Sequence, residues 1–195
     1  MLKFLIVIGS LTISTIASSQ IRSPNAIFND ADALFAQREN NIQAVTSARS
    51  KYLEHSNSSD PVILTYVVQQ VGRLAHYEGY FLSAARDKTR KARVYKTCFE
   101  TANLLAPHQA DFRTFYTYWR LSCSSLWLKY AKIGDRLGQL GRIKEEFDLL
   151  VGDDLEIKSE LNIDTRYMGG GITRVLAGVY GNSLSNLVRS SLPDR

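Results

Sequence analysis

From Pro61 to about Leu82 the apolar residues Ile63, Tyr66, Val67, Val71, Leu74, Tyr77 and Phe81 return every three or four positions. Residues so spaced share one face of a helix, whereas a half-buried strand alternates at every second position. The break before this run, Ser56 to Pro61, supplies Asp60 as a helix cap and Pro61 at the first helical position. No segment of the chain shows alternating, valine- and isoleucine-rich strand patterning.

The other periodic segments repeat the pattern. Asp30 is a plausible cap for a short helix carrying Leu34 and Phe35, and a second run extends from Ile42 to Leu53. A basic helix follows from about Asp87 to Leu105, ended by Pro107. The helix from about Asp111 to Ile133 is aromatic: Phe112, Phe115, Tyr116, Trp119, Trp127 and Tyr130 lie on one face, with Tyr118, Leu121 and Leu128 on the other. A helix apolar on two sides is packed from two directions. Gly134, Gly138 and Gly141 loosen the chain before Ile143, Phe147 and Leu150 resume the spacing. Asp153-Asp154 and Asn162 to Gly171 read as turns, after which Ile172, Val175, Leu176 and Val179 form one more stripe that should pack on the aromatic helix. Arg174 then sits at the edge of that packing, beside acidic or carbonyl groups. Leu184, Leu187 and Val188 close the chain with a short amphipathic piece.

The expected fold is all-α, built from antiparallel helix pairs as a degenerate tetratricopeptide-like α-solenoid or bundle. Boundaries near Asp60, Pro107 and Asp164 are too unequally spaced for a regular repeat of ~34 residues.

The first residues read as an export signal. Met1-Leu2-Lys3 is a short positive start, Phe4 to Ala17 carries no charge, and Ala17-Ser18-Ser19 fits cleavage before Gln20. The expected division is a signal peptide over 1–19 and one domain over 20–195, exported and without a membrane span after cleavage, with an uncleaved anchor as the alternative. No cysteine follows the apolar core, so a lipid anchor is not expected. Loss of Lys3 takes the net charge of +5 to +4, a balance too modest for a nucleic-acid binder.

Cys98 and Cys123 are the only cysteines. Export permits a disulfide. Counting from a turn at Pro107 offsets them by roughly 5–10 Å along antiparallel helices, which favours two buried thiols; a shift of the helix ends leaves a bridge open.

The segment from Asp111 to Tyr180 resembles exported, tetratricopeptide-like helical proteins associated with tripartite ATP-independent periplasmic (TRAP) transporters, the T-component type. The resemblance lies in Tyr118-Trp119-Arg120-Leu121, Lys129-Tyr130-Ala131-Lys132-Ile133-Gly134, Ile143-Lys144-Glu145-Glu146-Phe147 and the glycine-led Asn162 to Gly178. Ala31 to Arg38 is similar to that family's first helix. The resemblance implies a non-enzymatic scaffold that holds a partner protein, with a periplasmic solute-binding protein as one such partner, or an apolar ligand. Oligomer formation is left open.

Candidate contact residues follow from chemistry. Gln70 and Glu78 fall within the long stripe beside Tyr77, and a buried carboxylate requires a partner such as Arg120 or Arg174. Tyr116, Trp119 and Trp127 either form plain core or line an aromatic pocket. With Arg174, these are the candidate ligand- or partner-binding residues. The basic run Arg86, Lys88, Arg90, Lys91, Arg93, Lys96 reads as a solvated face rather than a dock for an acidic partner or lipid headgroups. His76 and Glu78 diverge on a helix and make a poor metal pair, while His55 and His108 sit in turns. No serine elbow, zinc spacing, phosphate loop or dinucleotide fingerprint is present, and no catalytic residue, cofactor or metal is assigned. Rival readings are a carrier of small apolar ligands and a hydrolase with a dispersed site around Glu78 and His76. Asn57-Ser58-Ser59 matches a glycosylation sequon, a pattern short enough to arise by chance.

Overall fold

A computed structural model describes residues 24–39, 41–84, 86–152 and 156–181. The segment read as an export signal, Asp153-Asp154 and the piece around Leu184 to Val188 lie outside the described residues. The elements are α1 (Pro24–Ala36), α2 (Ile42–Leu53), α3 (Pro61–Tyr77) running on as a π-helical turn (Glu78–Leu82), and α4 (Lys88–Ala102) running on as a 3-10 segment (Asn103–His108). Then follow α5 (Arg113–Tyr130), α6 (Ile133–Leu150), a 3-10 turn (Ser159–Leu161) and α7 (Tyr167–Gly181). The fold is all-α as expected, and the one β-type pairing among the described residues is an isolated bridge between Val151 and Ile157.

Local chemistry sets most of the boundaries. The side chains of Asn41, Asp60 and Asp87 accept hydrogen bonds from the backbone N–H groups of Gln43, Val62 and Arg90 at 2.8–2.9 Å, satisfying donors that the first helical turn leaves unpaired. Two expectations need correcting. The first helix starts at Pro24, where a proline fits the first turn, so Asp30 lies inside it and is no cap. Secondly, Gly134, Gly138 and Gly141 do not loosen the chain: α6 runs through all three. Asp135 in its first turn favours the helix start electrostatically, and the pairing of Glu146 with Arg120 ties α6 to α5.

Successive helices run antiparallel. On α4 and α5 the stacked pairs Tyr95–Tyr130 and Phe99–Trp127 progress in opposite directions along the two helices. Alternate helices touch as well: Phe28 of α1 stacks on Tyr66 of α3, and Phe115 and Tyr118 of α5 meet Tyr167 of α7. Helices α1, α3, α5 and α7 therefore form one layer, and the helix pairs among the described residues begin at Pro24, Pro61 and Arg113.

The two faces of α5 divide the core as its sequence requires. Trp119, Cys123 and Trp127 pack with Val94, Tyr95, Cys98 and Phe99 of α4. Leu121 and Leu128 pack with Ile143, Ile172 and Leu176. Ile172 and Leu176 are buried and Val175 is half-buried on that second face; the surroundings of Val179 are outside the described residues. Adjacent rings of α5 press on backbone to either side. A Cβ at Gly72 of α3 would stand 2.2 Å from the Trp119 ring, and one at Gly171 of α7 would stand 2.4 Å from Tyr118, so neither position has room for a larger residue.

The expectation of two thiols is overturned: Cys98 and Cys123 form a disulfide, with Cα atoms 5.5 Å apart. The chain does not reverse at Pro107. The 3-10 segment carries the direction of α4 on to His108, and the turn occupies Gln109 to Phe112. Measured from the middle of that turn, the two cysteines are level.

Candidate functional site

A trough of about 380 Å³ crosses the layer formed by the odd-numbered helices. Phe35 and Arg38 line it at the end of α1, and Arg73, His76 and Tyr77 along α3. Tyr118 and Trp119 contribute from α5 and Met168 from the start of α7. The π-helical turn supplies its rim. Its closing bond runs from the Ser83 N–H to the Glu78 carbonyl at 2.9 Å, one residue wider than an α-helical turn. That change of pitch ends the apolar stripe early. Phe81 leaves the core and is 76% exposed, and Tyr80 beside it is 71% exposed.

Met168 completes the rim at 46% exposure. It is held by a turn in which Met168, Gly169 and Gly170 take φ values of 51°, 64° and 79°, a left-handed conformation that glycine adopts without penalty and methionine does not. The Arg174 guanidinium donates back to the carbonyls of Gly169 and Met168. Arg174 thus meets carbonyl partners, as its sequence position implies, and fixes the rim rather than lining the trough.

The walls pair aromatic rings with guanidinium groups. Arg38 lies 4.7 Å from the centre of the Phe35 ring and 5.6 Å from that of Tyr77, while Arg73 lies 4.9 Å from Phe35 on its own account. Such contacts orient a cation over a ring; Arg38 also donates to the Phe35 carbonyl at 3.2 Å and reaches the Glu39 carboxylate at 3.5 Å. Arg73 donates to the side-chain oxygen of the buried Gln70 at 3.2 Å, and the Tyr77 hydroxyl donates to the Arg38 carbonyl at 3.3 Å.

His76 lies within hydrogen-bond distance of the Ser122 hydroxyl, at 3.0 Å, and so joins α3 to α5. Burial lowers its pKa from the ordinary value, keeping the ring neutral near neutral pH. The Trp119 indole N–H has no hydrogen-bond acceptor among the described residues. The Tyr167 phenol lies near it: burial raises that phenol's pKa, and the indole N–H acts in the opposite direction.

Two candidates, Tyr77 and Trp119, are in the trough, and Gln70 anchors one of its arginines. Glu78 is not. It is 2% exposed at the head of the π turn, gripped by Arg49 of α2 and by Arg90 of α4, whose Nε donates at 2.9 Å. The expected partners are otherwise engaged: Arg120 with Glu146, and Arg174 with the two carbonyls. Tyr116 and Trp127 do not line the trough: Tyr116 lies under the Arg120 guanidinium and Trp127 is stacked on Phe99. Part of the basic run is likewise structural: Arg90 is spent on Glu78, and Lys91 is buried over the Tyr130 ring.

Sequence reasoning missed Phe35, Arg38, Arg73, Tyr80 and Met168. A terminal aromatic pair such as Tyr80-Phe81 reads as the end of a core stripe, and only the π turn distinguishes it from one. The groove presents aromatic rings and the guanidinium groups of Arg38 and Arg73 side by side. No protein-family profile matches the chain, and comparison with curated proteins and with solved structures returns no match.

Proposed function

We propose that this chain is an exported, non-enzymatic helical scaffold that binds a partner protein and works in the periplasm as an accessory of solute uptake. The partner-binding part is carried by one observation, the rim of the trough. Tyr80 and Phe81 of the π turn after α3, and Met168 at the start of α7, hold large apolar side chains in water beside Arg38 and Arg73. Covering a side chain of this kind is worth about 1.5–3 kcal/mol, and clustered exposure marks interaction surfaces.

A trough open along a layer of helices suits a stretch of polypeptide, whose side chains meet the rings while its oxygens meet the arginines. A carrier of small apolar ligands would use the same rings, but an open trough would leave much of such a ligand in water. The hydrolase reading loses its carboxylate, because arginines occupy both oxygens of Glu78. Export rests on the Met1 to Ser19 signal pattern, and the link to solute uptake rests on the resemblance to TRAP-associated proteins.

Co-purification from cell envelopes tests the proposal, comparing the unaltered chain with a Tyr80→Ser/Phe81→Ser variant of equal helical content by circular dichroism. The expected result is a protein, such as a solute-binding protein, retained by the first and lost from the second. A partner held equally by both would place the contact elsewhere. Retention of no protein by either would remove the scaffold reading.

A further inference from the structure

A second groove, of about 460 Å³, lies behind the first layer between α4 and the α5–α6 junction. Lys88, Arg93 and Lys96 line it from α4, and Lys132 and Arg136 from the junction, with Asp135 as the one carboxylate in its lining. Trp127 and Tyr130 give it an aromatic floor. The Tyr130 ring is approached by two more ammonium groups, Lys91 at 5.4 Å and Lys129 at 5.6 Å.

These charges are poorly neutralised from within. Lys96 pairs loosely with Glu100 at 3.7 Å, both exposed, a contact worth little in water. Arg136 donates to the carbonyls of Ala131 and Lys129 at the end of α5, which satisfies its N–H groups without cancelling its charge. Lys88, Arg93 and Lys132 meet no carboxylate among the described residues. Like charges gathered on two walls raise the potential between them. A solvated face needs neither the second wall nor the aromatic floor.

We propose that this groove binds an acidic segment of a polypeptide that carries an aromatic or large aliphatic side chain. Its carboxylates would meet cations on both walls, and its apolar side chain would lie against Trp127 and Tyr130. The two walls favour an inserted segment over a membrane surface, which would engage cations projecting in one plane. No residue of this groove lines the aromatic trough, so the two surfaces stand or fall separately.

The test uses the full chain and a fluorescein-labelled octapeptide of alternating Asp and Glu with two Phe, followed by fluorescence anisotropy. The expected result is binding that weakens severalfold between about 50 and 300 mM salt and is absent for the Asn/Gln analogue. Arg93→Glu with Lys132→Glu should weaken it at least ~10-fold. Arg142→Glu with Arg166→Glu, exposed positions outside the groove, makes the same change in net charge and should alter it less than ~2-fold. The Tyr80→Ser/Phe81→Ser variant should bind the peptide normally. Equal binding of the neutral analogue, or equal loss in both charge-reversed variants, would overturn the assignment. So would capture of the chain by phosphatidylglycerol vesicles that the peptide fails to displace.

Discussion

Around α1 to α3, ring contacts are supplemented by polar contacts that each join three helices, whereas α4 and α5 are held by a disulfide and stacked rings. In the first region Asp32 of α1 accepts hydrogen bonds from the hydroxyls of Tyr52 and Tyr66. Burial, and then the Asp32 carboxylate, raise both phenol pKa values, that of Tyr66 to about 12, so both remain donors. At the other end of α3, Glu78 draws Arg49 and Arg90 together from α2 and α4. In the second region Cys98–Cys123, Tyr95–Tyr130 and Phe99–Trp127 connect one pair of neighbours. Polar contacts are directional and join three helices at a point, while rings and a covalent bond secure two helices along their length. The difference suits their positions: Glu78 stands where the π turn must be fixed in one orientation for Tyr80 and Phe81 to form the rim.

Removing both arginines, Arg49→Met with Arg90→Met, should have the largest effect. It leaves a buried carboxylate without a partner, with an expected loss of about 5 kcal/mol in urea denaturation. Replacing Glu78 by Met as well should recover most of that loss, since an apolar trio of similar size avoids the desolvation. Failure to recover would show that the knot supplies stability and not only register.

Loss of the disulfide comes next. The bridge joins positions separated by 25 residues, so Cys98→Ser with Cys123→Ser should cost about 3.5 kcal/mol. The same loss should appear in the unaltered chain on reduction. A much smaller loss would mean that the stacked rings hold α4 to α5 without it.

The smallest effect belongs to His76, at the seam between the two regions. Its folded pKa is lowered, whereas the unfolded ring titrates near ~6.5. Its contribution is complete above that value and is lost as pH falls through it toward the folded pKa, because the unfolded state takes up the proton first. Urea midpoints measured from about pH 7.5 down to 5 should decline, and His76→Gln should flatten that part of the profile. An unchanged slope would assign the pH dependence to other groups.

Helix types and their apolar faces were legible because they depend on residues three or four apart. The cap at Asp60, the end of α2 at Leu53 and the two faces of α5 all follow from local sequence. The disulfide was misjudged for a local reason too, since a 3-10 continuation past Pro107 moved the point of reversal by a few residues. The candidate site was less legible. Tyr77 and Trp119 were among the expected residues, but Arg38 and Arg73 became part of the site only when α1 and α3 met over Phe35.

The sequence by itself determined an all-α chain of amphipathic segments and the need of Glu78 for a partner, be it an arginine, a tyrosine hydroxyl or water, because periodicity and the cost of burying a charge act through a residue's own neighbourhood. The tertiary structure decided which cation answered that need, which cysteine face met which, and that one aromatic pair would stay in water. Those outcomes depend on the register between helices distant in sequence, and on a single wide turn whose pitch the spacing of apolar residues does not reveal.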